Sequence, residues 1–375
     1  MNKDLAYAMT PIKILSWPVG TWPLQEYNVA SFLRTGISVF VLVRNSCLLT
    51  VVILNVETYL DVAKVMQFRV HRDDLVSNFE SAVKDYNEAE NEEIRAIMRW
   101  HAYMGRVAGA SGILFSYFSA TLVAAVSMLT ADDEETTLNA NGTTATSTNY
   151  PMPSEYTLRL LHVPEKLFLL TFIVHVHYVG SDAVFFGITF HLCGQAEVLK
   201  LKFTKSVNEK ETPAKRFDDL IARHQHLLTL CKQLNDTISS VLVIQLCSSS
   251  LFICTTGFQL ILSLNANNFV MVAKTFIVVT TLLAQLFAYS YVGEYFKDQM
   301  EGIGYSAYCC RWYDLPEHLS KNIIFIQMRC HDPVHLKAGD FFVVNLETYM
   351  SIVKTSMSYL SVLRNPFVDS ERAQS

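Results

Sequence analysis

The chain has 375 residues, of which 51% are hydrophobic and 17% are charged, and its mean hydropathy is +0.23. The apolar residues fall in long blocks, which is unlike soluble domains of this length and predicts one all-α membrane domain. The net charge of −5 includes no basic tract, which argues against a nucleic-acid partner. The N-terminus has no apolar run closed by a small-residue cleavage site, so we expect no signal peptide.

The predicted membrane helices lie in apolar blocks that match the roughly 20 residues a bilayer crossing needs. These blocks are residues 36–56, 103–130, 160–192, 238–262, 269–295 and 341–363. Arg44 and Asn45 interrupt the first block, and residues 34–69 are too few for two full crossings and a turn at about 1.5 Å per residue. Either the first two helices are shortened, or only one helix crosses the membrane in this part of the chain.

The connections between the blocks differ in their content of Lys and Arg. The basic connections are residues 64–99, 200–232 and 297–337, whereas residues 131–158 and 263–268 contain neither Lys nor Arg. Because cytoplasmic loops carry the excess of basic residues, we expect the basic connections inside and the others outside. Asn141 begins a glycosylation sequon in the first external connection, which agrees with this topology. The N-terminus lies inside only if an even number of helices crosses before Trp100.

The predicted cytoplasmic segments are also helical. Residues 91–101 and 213–234 lack internal Gly and Pro and are expected to extend the neighbouring membrane helices. Residues 302–328 read as an amphipathic helix that Pro316 bends or restarts. Its predicted apolar side consists of Trp312, Leu315, Leu319, Ile323 and Ile326. A loop containing Pro333 and Gly339 precedes the final crossing.

The final apolar block, residues 341–363, carries a polar stripe. On a helical wheel one face holds Thr348, Ser351, Thr355, Ser358 and then Val362. Away from that face lie Val343, Leu346, Met350, Val353, Met357 and Leu360. Polar groups at membrane depth must face water or other protein, since lipid would leave them unpaired. The stripe therefore predicts either the wall of an aqueous path or a polar seam between packed helices.

Short motifs follow one another in a fixed order through the C-terminal third. They are Ala288-Tyr-Ser-Tyr-Val-Gly-Glu294, Arg311-Trp312, Met328-Arg329, Pro333, Leu336, Ala338-Gly339 and Val353-Lys-Thr-Ser-Met-Ser-Tyr-Leu360. This succession is similar to that of the insect odorant receptor family. Upstream motifs resemble a hymenopteran-like branch: Ile97-Met-Arg-Trp-His-Ala-Tyr-Met104, Leu161-His-Val-Pro164, Gly180-Ser-Asp-Ala183 and Phe186-Gly-Ile-Thr-Phe-His-Leu-Cys-Gly194.

The resemblance implies seven transmembrane helices, of which the first two are shortened here, with the N-terminus inside and the C-terminus outside. It also implies a heterotetramer with a common co-receptor subunit, surrounded by lipid in the plasma membrane of an olfactory neuron dendrite. The pore is then lined by the seventh helix, with Val362 at a narrow apolar gate and Asn365 at a polar constriction beside it. The implied parts are a helix bundle with an odorant pocket (1–295), a cytoplasmic anchor helix and loop (296–339), and the pore helix with a short external tail (340–375).

The same resemblance implies a pocket for a small volatile odorant in the outer half of the membrane domain. Aromatic walls with a few hydroxyls suit such ligands, which bind mainly by apolar burial. The candidate lining residues are Phe115, Ser116 and Ser119 of the third crossing, Phe168, Phe172 and His175 of the fourth, and Phe276 and Val279 of the sixth. The alternative is that these side chains only pack between helices.

The predicted function is therefore that of an odorant-binding subunit of a ligand-gated, non-selective cation channel. One alternative is a seven-helix receptor coupled to a G protein, although the Asp-Arg-Tyr and Asn-Pro-x-x-Tyr signatures of those receptors are missing. Another is a truncated, non-conducting variant of the channel subunit. We expect no enzyme activity, no cofactor and no metal, because no acid–base or nucleophile constellation is evident. His175 and His177 stand two residues apart, so on one helix they point in different directions.

Overall fold

Long helices make up most of the chain in the computed structural model, as the all-α prediction requires. The structure describes residues 3–17, 22–25, 28–36, 62–89, 91–131, 163–205, 213–310, 312–314 and 316–374. The helices are α1 Lys3–Ser16, α2 Arg72–Glu88, α3 Glu92–Ala131, α4 Val163–Lys205, α5 Pro213–Asn265, α6 Phe269–Tyr308, α7 Glu317–His331 and α8 Leu346–Gln374. Residues 29–36 and 62–70 are helical as well, and Trp312–Asp314 form a 3-10 turn. Strands β1 Lys337–Ala338 and β2 Phe342–Val343 pair in an antiparallel hairpin.

The central helices are longer than a bilayer is thick. Helices α3 and α6 have 40 residues each, and α5 has 53. At about 1.5 Å per residue, α3 and α6 extend about 60 Å, roughly twice the hydrocarbon core. Among the described residues, two segments combine the length and apolar composition needed to cross a membrane, Lys215–Asn265 of α5 and Phe269–Tyr308 of α6. The ends of these helices therefore extend beyond the membrane.

Most predicted helical segments are confirmed. The blocks 103–130, 238–262 and 269–295 lie within α3, α5 and α6, and the block beginning at 160 is helical from Val163. The predicted extensions are present too, because α3 begins at Glu92 and α5 at Pro213. Residues 37–61, on which the number of early crossings depends, lie outside the described residues, as does Asn141.

Two predicted boundaries were wrong. The last helix begins at Leu346 and not at 341, because Phe342 and Val343 pair with β1 instead of joining the helix. The amphipathic segment is divided at Pro316, which is the N-cap of α7, whereas the preceding residues up to Tyr308 continue α6.

One residue of the predicted apolar side of that segment is misplaced. Trp312 lies in the separate 3-10 turn and is exposed. The prediction holds for Leu319, Ile323 and Ile326, which are buried. The side chain of Leu315 lies outside the described residues.

Helix α4 occupies the centre of the bundle. Its C-terminal half is buried on all sides and contributes Phe190, Leu192, Leu199 and Phe203 to the main hydrophobic core. It packs against α1, α3, α5 and α6. A helix that is apolar all round is expected in this position, because each of its faces meets another helix.

Small residues let α3 and α1 approach α4 closely. A Cβ at Gly105 would lie 3.6 Å from the Cα of Gly187, and one at Gly109 would lie 3.8 Å from the Cα of Ala183. A Cβ at Gly187 would lie 2.2 Å from Cδ1 of Ile12, so a larger residue here would force the Ile12 side chain of α1 to move. Such small-residue contacts are a common means of packing membrane helices, where close approach supplies the van der Waals attraction.

The β1–β2 hairpin is fixed to α5 before α8 begins. Gly339 adopts a φ of 62°, a left-handed conformation that glycine adopts without strain. Its backbone N–H donates to Ser239 Oγ at 2.8 Å, and the N–H of Lys337 donates to Asn235 Oδ1 at 2.7 Å. The backbone N–H of Val344 donates to the Leu336 carbonyl at 2.8 Å, which closes the base of the hairpin. The entry to α8 is therefore held by hydrogen bonds on both sides.

We predict that Gly293→Ala destabilises the protein by about 1–3 kcal/mol, the usual cost of overpacking a core. A Cβ on Gly293 of α6 would lie 2.0 Å from the carbonyl oxygen of Val344, and backbone there cannot move without shifting α8. Thermal unfolding of the purified protein should show a lower Tm. The matched control is Gly112→Ala, since nothing lies within 4 Å of the Cβ it would add. Equal Tm values for the two variants would contradict the packing argument.

Candidate functional site

The N-terminus of α8 is capped by its own residues and by α6. Asn345 Oδ1 accepts from the backbone N–H of Thr348 at 2.8 Å, and the hydroxyl of Thr348 donates to the Val343 carbonyl at 2.6 Å. The backbone N–H of Leu346 donates to Glu294 Oε2 of α6 at 3.4 Å. An acidic side chain at a helix N-terminus is also favoured by the helix dipole. The start of α8 is therefore tied to α6 at the Gly293–Glu294 position.

One narrow face joins α8 to the rest of the chain. Tyr349 and Ile352 pack against the core, Ser356 is buried, and Leu360 lies against Gly257 of α5. Tyr349 also meets the ring of Phe287 edge-on, with 5.7 Å between the ring centroids. These contacts recur at helical spacing, so they define a single stripe directed at α5 and α6.

The predicted polar stripe lies on a different side of α8. Ser351, Thr355 and Ser358 are exposed, and Thr348 is half-buried. The chain's own helices therefore leave these three side chains open to water or to a neighbouring subunit. Met350 and Met357, from the predicted apolar side, are exposed as well. The side chains of Val362 and Asn365 lie outside the described residues.

The structure locates part of the predicted odorant pocket. Ser119 is buried, and its Oγ accepts a hydrogen bond from Thr281 Oγ1 of α6 at 2.9 Å, which joins α3 to α6. Val279 is half-buried close to this link along α6, whereas Phe115 and Phe276 are exposed. The side chains of Ser116, Phe168, Phe172 and His175 lie outside the described residues.

A buried ion pair joins the helical segment 62–70 to α4 and α6. Lys64 Nζ lies 3.3 Å from Asp182 Oδ1, and the two side chains are only 4% and 15% exposed. The hydroxyl group of Tyr289 on α6 donates a hydrogen bond to the same carboxylate. Three separate parts of the chain thus converge on Asp182. Sequence reasoning missed this site because Lys64 and Asp182 are far apart in the chain.

A second charged cluster lies between α2, α4 and α5. Asp85 of α2 is 3.4 Å from His191 Nε2 and 3.2 Å from Arg223 Nη2. Arg223 also donates to Gln195 Oε1 at 2.8 Å. The carboxylate is 14% exposed, so these partners offset much of the cost of removing its charge from water. The cluster holds the extramembrane end of α5 against α2 and α4.

A cavity of about 350 Å³ lies between α1, α2, α3 and α4. Its lining residues include Ile12, Phe79, Ala82, Val107 and Gly187. Of the predicted pocket residues whose side chains the structure describes, none borders it. The sequence signal that marks it is the set of small residues on α3 and α4, which leave room between closely packed helices.

Burial also sets the protonation of groups near the hairpin. Burial lowers the pKa of His335, and the neighbouring charge of Lys297 lowers it further. The imidazole is therefore neutral at pH 7. Burial raises the pKa of the Cys330 thiol to about 11, which keeps it protonated and unreactive. The described part of the chain contains no group of three or more His, Cys, Asp or Glu side chains arranged to hold a metal ion.

Comparison with known proteins identifies related sequences. The profile of the family described as 7tm Odorant receptor matches residues 45–357 of the chain. Odorant receptor 47a of Drosophila melanogaster is 26% identical over 195 residues, which are 50% of this chain and 49% of that protein. Odorant receptor 10 of Aedes albopictus is 24% identical over 148 residues, which are 40% of this chain and 39% of that protein. The chain spans about half the length of the curated relatives it matches.

Solved structures match over almost the whole chain. The insect olfactory receptor OR5 from Machilis hrabei superposes with a TM-score of 0.71 at 14% identity, covering 95% of this chain and 97% of that one. The same receptor in complex with eugenol gives a TM-score of 0.71 at 13% identity, covering 96% and 99%. The predicted fold class, an all-α polytopic membrane protein with seven transmembrane helices, is confirmed.

We predict that Asp182→Leu destabilises the receptor by about 3–5 kcal/mol, because Lys64 would then lack the carboxylate it contacts inside the bundle. The double variant Lys64→Met with Asp182→Leu should recover most of this loss, since it removes both charges together. Thermal unfolding of the three purified proteins measures both effects. The ion-pair interpretation fails if the double variant is no more stable than Asp182→Leu.

Proposed function

Because the chain belongs to the 7tm odorant receptor family, we propose that it is the odorant-binding subunit of a ligand-gated, non-selective cation channel acting with a co-receptor subunit. The family consists of receptors and not of enzymes. The observation that carries the channel proposal is the exposed polar face of α8. Ser351, Thr355 and Ser358 form an open row of hydroxyls on a helix that attaches to its own bundle by another face.

A symmetric arrangement of subunits would use this polar face as the wall of a pore. If four α8 helices surround one axis, each helix keeps the contacts that its residues from Tyr349 to Ser356 make with its own bundle. Each helix then turns its row of hydroxyls toward the axis. Val362 continues the stripe and would form the apolar gate, with Asn365 beside it. A ring of apolar side chains blocks ions by excluding water, and a small dilation restores hydration.

The proposed odorant pocket lies between α3, α4 and α6. Its walls would be Phe115, Ser116 and Ser119, with Phe168, Phe172 and His175, and with Phe276 and Val279. The hydrogen bond between Ser119 and Thr281 supports this location, since it brings α3 and α6 together at the level of the candidate residues. Eugenol, the ligand in the complex of OR5 from Machilis hrabei, is small and aromatic, and we propose small volatile molecules of this kind as ligands.

Helix α6 supplies a physical connection from the pocket to the pore. It carries Phe276 and Val279 near its N-terminus and the Gly293–Glu294 contact with α8 further along the same helix. A ligand that binds more tightly when α6 is displaced would therefore shift the population of α8 positions. The channel opens in this scheme because the ligand prefers the open state.

The proposed topology places the N-terminus and α7 in the cytoplasm and the C-terminus outside, in the plasma membrane of an olfactory neuron. Large apolar side chains on α7 are exposed, namely Ile324, Phe325 and Met328. An exposed apolar patch in front of the pore helix suits contact with other subunits. In this division residues 1–295 bind the odorant, 296–339 anchor the subunits, 340–375 form the pore, and Asn141 carries a glycan outside.

We predict that the chain, expressed with an insect odorant co-receptor, gives cation current in response to volatile compounds. A screening panel would contain eugenol together with small alcohols, esters and other phenols. Current that develops without added nucleotide or G protein supports the channel and excludes coupling through a G protein. Surface-expressed protein that never conducts with the co-receptor would instead indicate the non-conducting variant.

In the same expression system, we predict that Val362→Gly raises the basal current, because it removes the proposed apolar constriction.

The control for the gate is Val353→Gly. Val353 is half-buried on another side of α8, so this change introduces the same helix-destabilising glycine without altering the stripe. Basal current of the wild-type size in a surface-expressed Val362→Gly channel would refute the gate.

We predict that Phe276→Ala weakens the response to an activating odorant by about 10-fold, because losing the contact of one aromatic ring costs on the order of 1–2 kcal/mol. Concentration–response curves of the current measure the shift. Phe269→Ala serves as the control, since Phe269 is exposed at the first turn of α6. An unchanged response in Phe276→Ala would remove this residue from the pocket.

A further inference from the structure

The cavity between α1, α2, α3 and α4 opens at the surface of the bundle. Its lining side chains on α2 and α4 are buried or half-buried, for example Phe79, Ala82 and Ile188. By contrast, Tyr7 of α1 and Tyr103 of α3 also line the cavity and are 41% and 49% exposed. The mouth of the cavity therefore lies between α1 and the outer face of α3.

The interior of the cavity is mainly apolar. Ile12 of α1, Phe79 of α2, Val107 of α3 and Ile188 of α4 each contribute a side chain from a different helix. The volume of about 350 Å³ falls within the range of roughly 300–1,000 Å³ typical of ligand sites. A hydrocarbon chain can fill such a space, because it brings no polar group that would need a partner.

A guanidinium group stands at the mouth of the cavity. The half-buried Arg106 of α3 places its guanidinium carbon 4.0 Å from the centroid of the Tyr7 ring, and its Nη1 donates to the Tyr7 carbonyl at 3.1 Å. Stacking on the ring fixes the plane of the guanidinium, and the hydrogen bond that the structure describes for it uses one of five N–H donors. The edge of the group suits a phosphate, which arginine binds through paired hydrogen bonds.

The mouth lies at one boundary of the apolar part of α3. Arg106 belongs to the first turn of the apolar block that begins at residue 103, and the basic connection 64–99 precedes this block. Trp100 and Tyr103 are exposed here, with 5.8 Å between their ring centroids. Exposed aromatic residues of this kind are typical of the membrane–water interface. In the proposed topology this boundary faces the cytoplasmic leaflet, which contains the anionic lipids.

Helix α1 adds positive charge beside the mouth. Lys3, Tyr7 and Lys13 are exposed and fall within about 120° on a helical wheel, whereas Asp4 is half-buried on a different side. Trp17, the residue after α1, is 46% exposed as well. A helix that exposes basic and aromatic residues together is typical of contact with an anionic membrane surface.

We propose that the cavity binds an anionic phospholipid of the cytoplasmic leaflet. One acyl chain enters between α1 and α3 and lies against Ile12 and Phe79, while the phosphate binds the edge of the Arg106 guanidinium. Lys3 and Lys13 attract the negative headgroup. Because the lipid contacts α1 and α3 together, its binding stabilises the docking of α1 on the bundle. The choice of leaflet rests on the proposed topology, whereas binding itself does not depend on the channel function.

The experiment uses the purified full-length receptor in phosphatidylcholine nanodiscs that contain phosphatidylserine with a diazirine in one acyl chain. Mass spectrometry of the photolabelled peptides locates the adducts. We expect adducts at Phe79 and Ala82, inside the cavity, and on the 102–110 part of α3. Unlabelled phosphatidylserine should compete about fivefold better than phosphatidylcholine with the same chains, the equivalent of about 1 kcal/mol from one basic residue. No co-receptor and no current enters this measurement, so its failure leaves the channel proposal untouched.

Two variants test the site, and each has a matched control. Arg106→Gln removes the charge at the mouth and should abolish the preference for phosphatidylserine. Arg99→Gln removes the same charge from the same helix outside the cavity wall and should retain the preference. Ala110→Trp places a large ring at an exposed position of the cavity wall and should reduce labelling inside the cavity. Ala273→Trp adds the same ring at an exposed position of α6 and should leave labelling unchanged.

Several outcomes would overturn the proposal. Adducts on the outer surface of α1 and α3 without any at Phe79 or Ala82 would show that the lipid only surrounds the bundle. Equal competition by the two phospholipids in the wild-type receptor would remove the preference for an anionic headgroup. An equal loss of preference in Arg106→Gln and Arg99→Gln would show general attraction to the net charge. Competition by water-soluble glycerophosphoserine as strong as that of the lipid would show a headgroup site without an acyl chain.

Discussion

The contact between Gly293 of α6 and the backbone of Val344 determines where α8 can lie. No side chain fits between them, and the carboxylate of Glu294 holds the first backbone N–H of α8 from the same turn. The hairpin on the other side is bonded to α5 through Gly339 and Lys337. Because both attachments precede α8, the start of the helix can move only together with α5 and α6. The bundle thus controls the direction of the exposed hydroxyl face.

Buried polar pairs and small residues both hold the helices together, but through different interactions. Inside a membrane bundle the hydrophobic effect does not hold helices together, so close backbone approach and hydrogen bonds must do so. Glycines on α3 and α4 provide the close backbone approach, and Gly187 packs against Ile12 of α1. Asp182 provides the hydrogen bonds by joining side chains from separate helices, and Asp85 makes a comparable link at the extramembrane end of α5. The same small residues also leave the cavity beside α1, so tight packing and open space here have a common cause.

Much of this architecture could be predicted from the sequence, for reasons that are physical. Apolar blocks, and extensions at residues 91–101 and 213–234 that lack internal Gly and Pro, were sufficient to place α3, α5 and α6. Helix length and hydropathy are local properties of the sequence. The start of α8 was predicted wrongly, because the pairing of Phe342 with Ala338 depends on a turn at Gly339 that hydropathy does not reveal. The partners of Asp182 and the cavity could not be predicted, since they depend on which helix faces meet. The polar stripe was predicted as a pattern, and the structure adds that the stripe is open.

Charged and neutral polar links both join helices in the described part of the bundle. Among the described residues, charged links of α4 lie at Asp182, near the middle of the helix, and at His191 and Gln195, in its C-terminal half. On the α3–α6 contact beyond this level, the described link is the single hydroxyl pair of Ser119 and Thr281. Breaking a neutral hydrogen bond costs about 1 kcal/mol, whereas breaking a buried charge pair costs several. In the proposed gating scheme, a ligand that displaces α6 near Thr281 would break only this weaker link, and the same helix contacts α8 at Gly293.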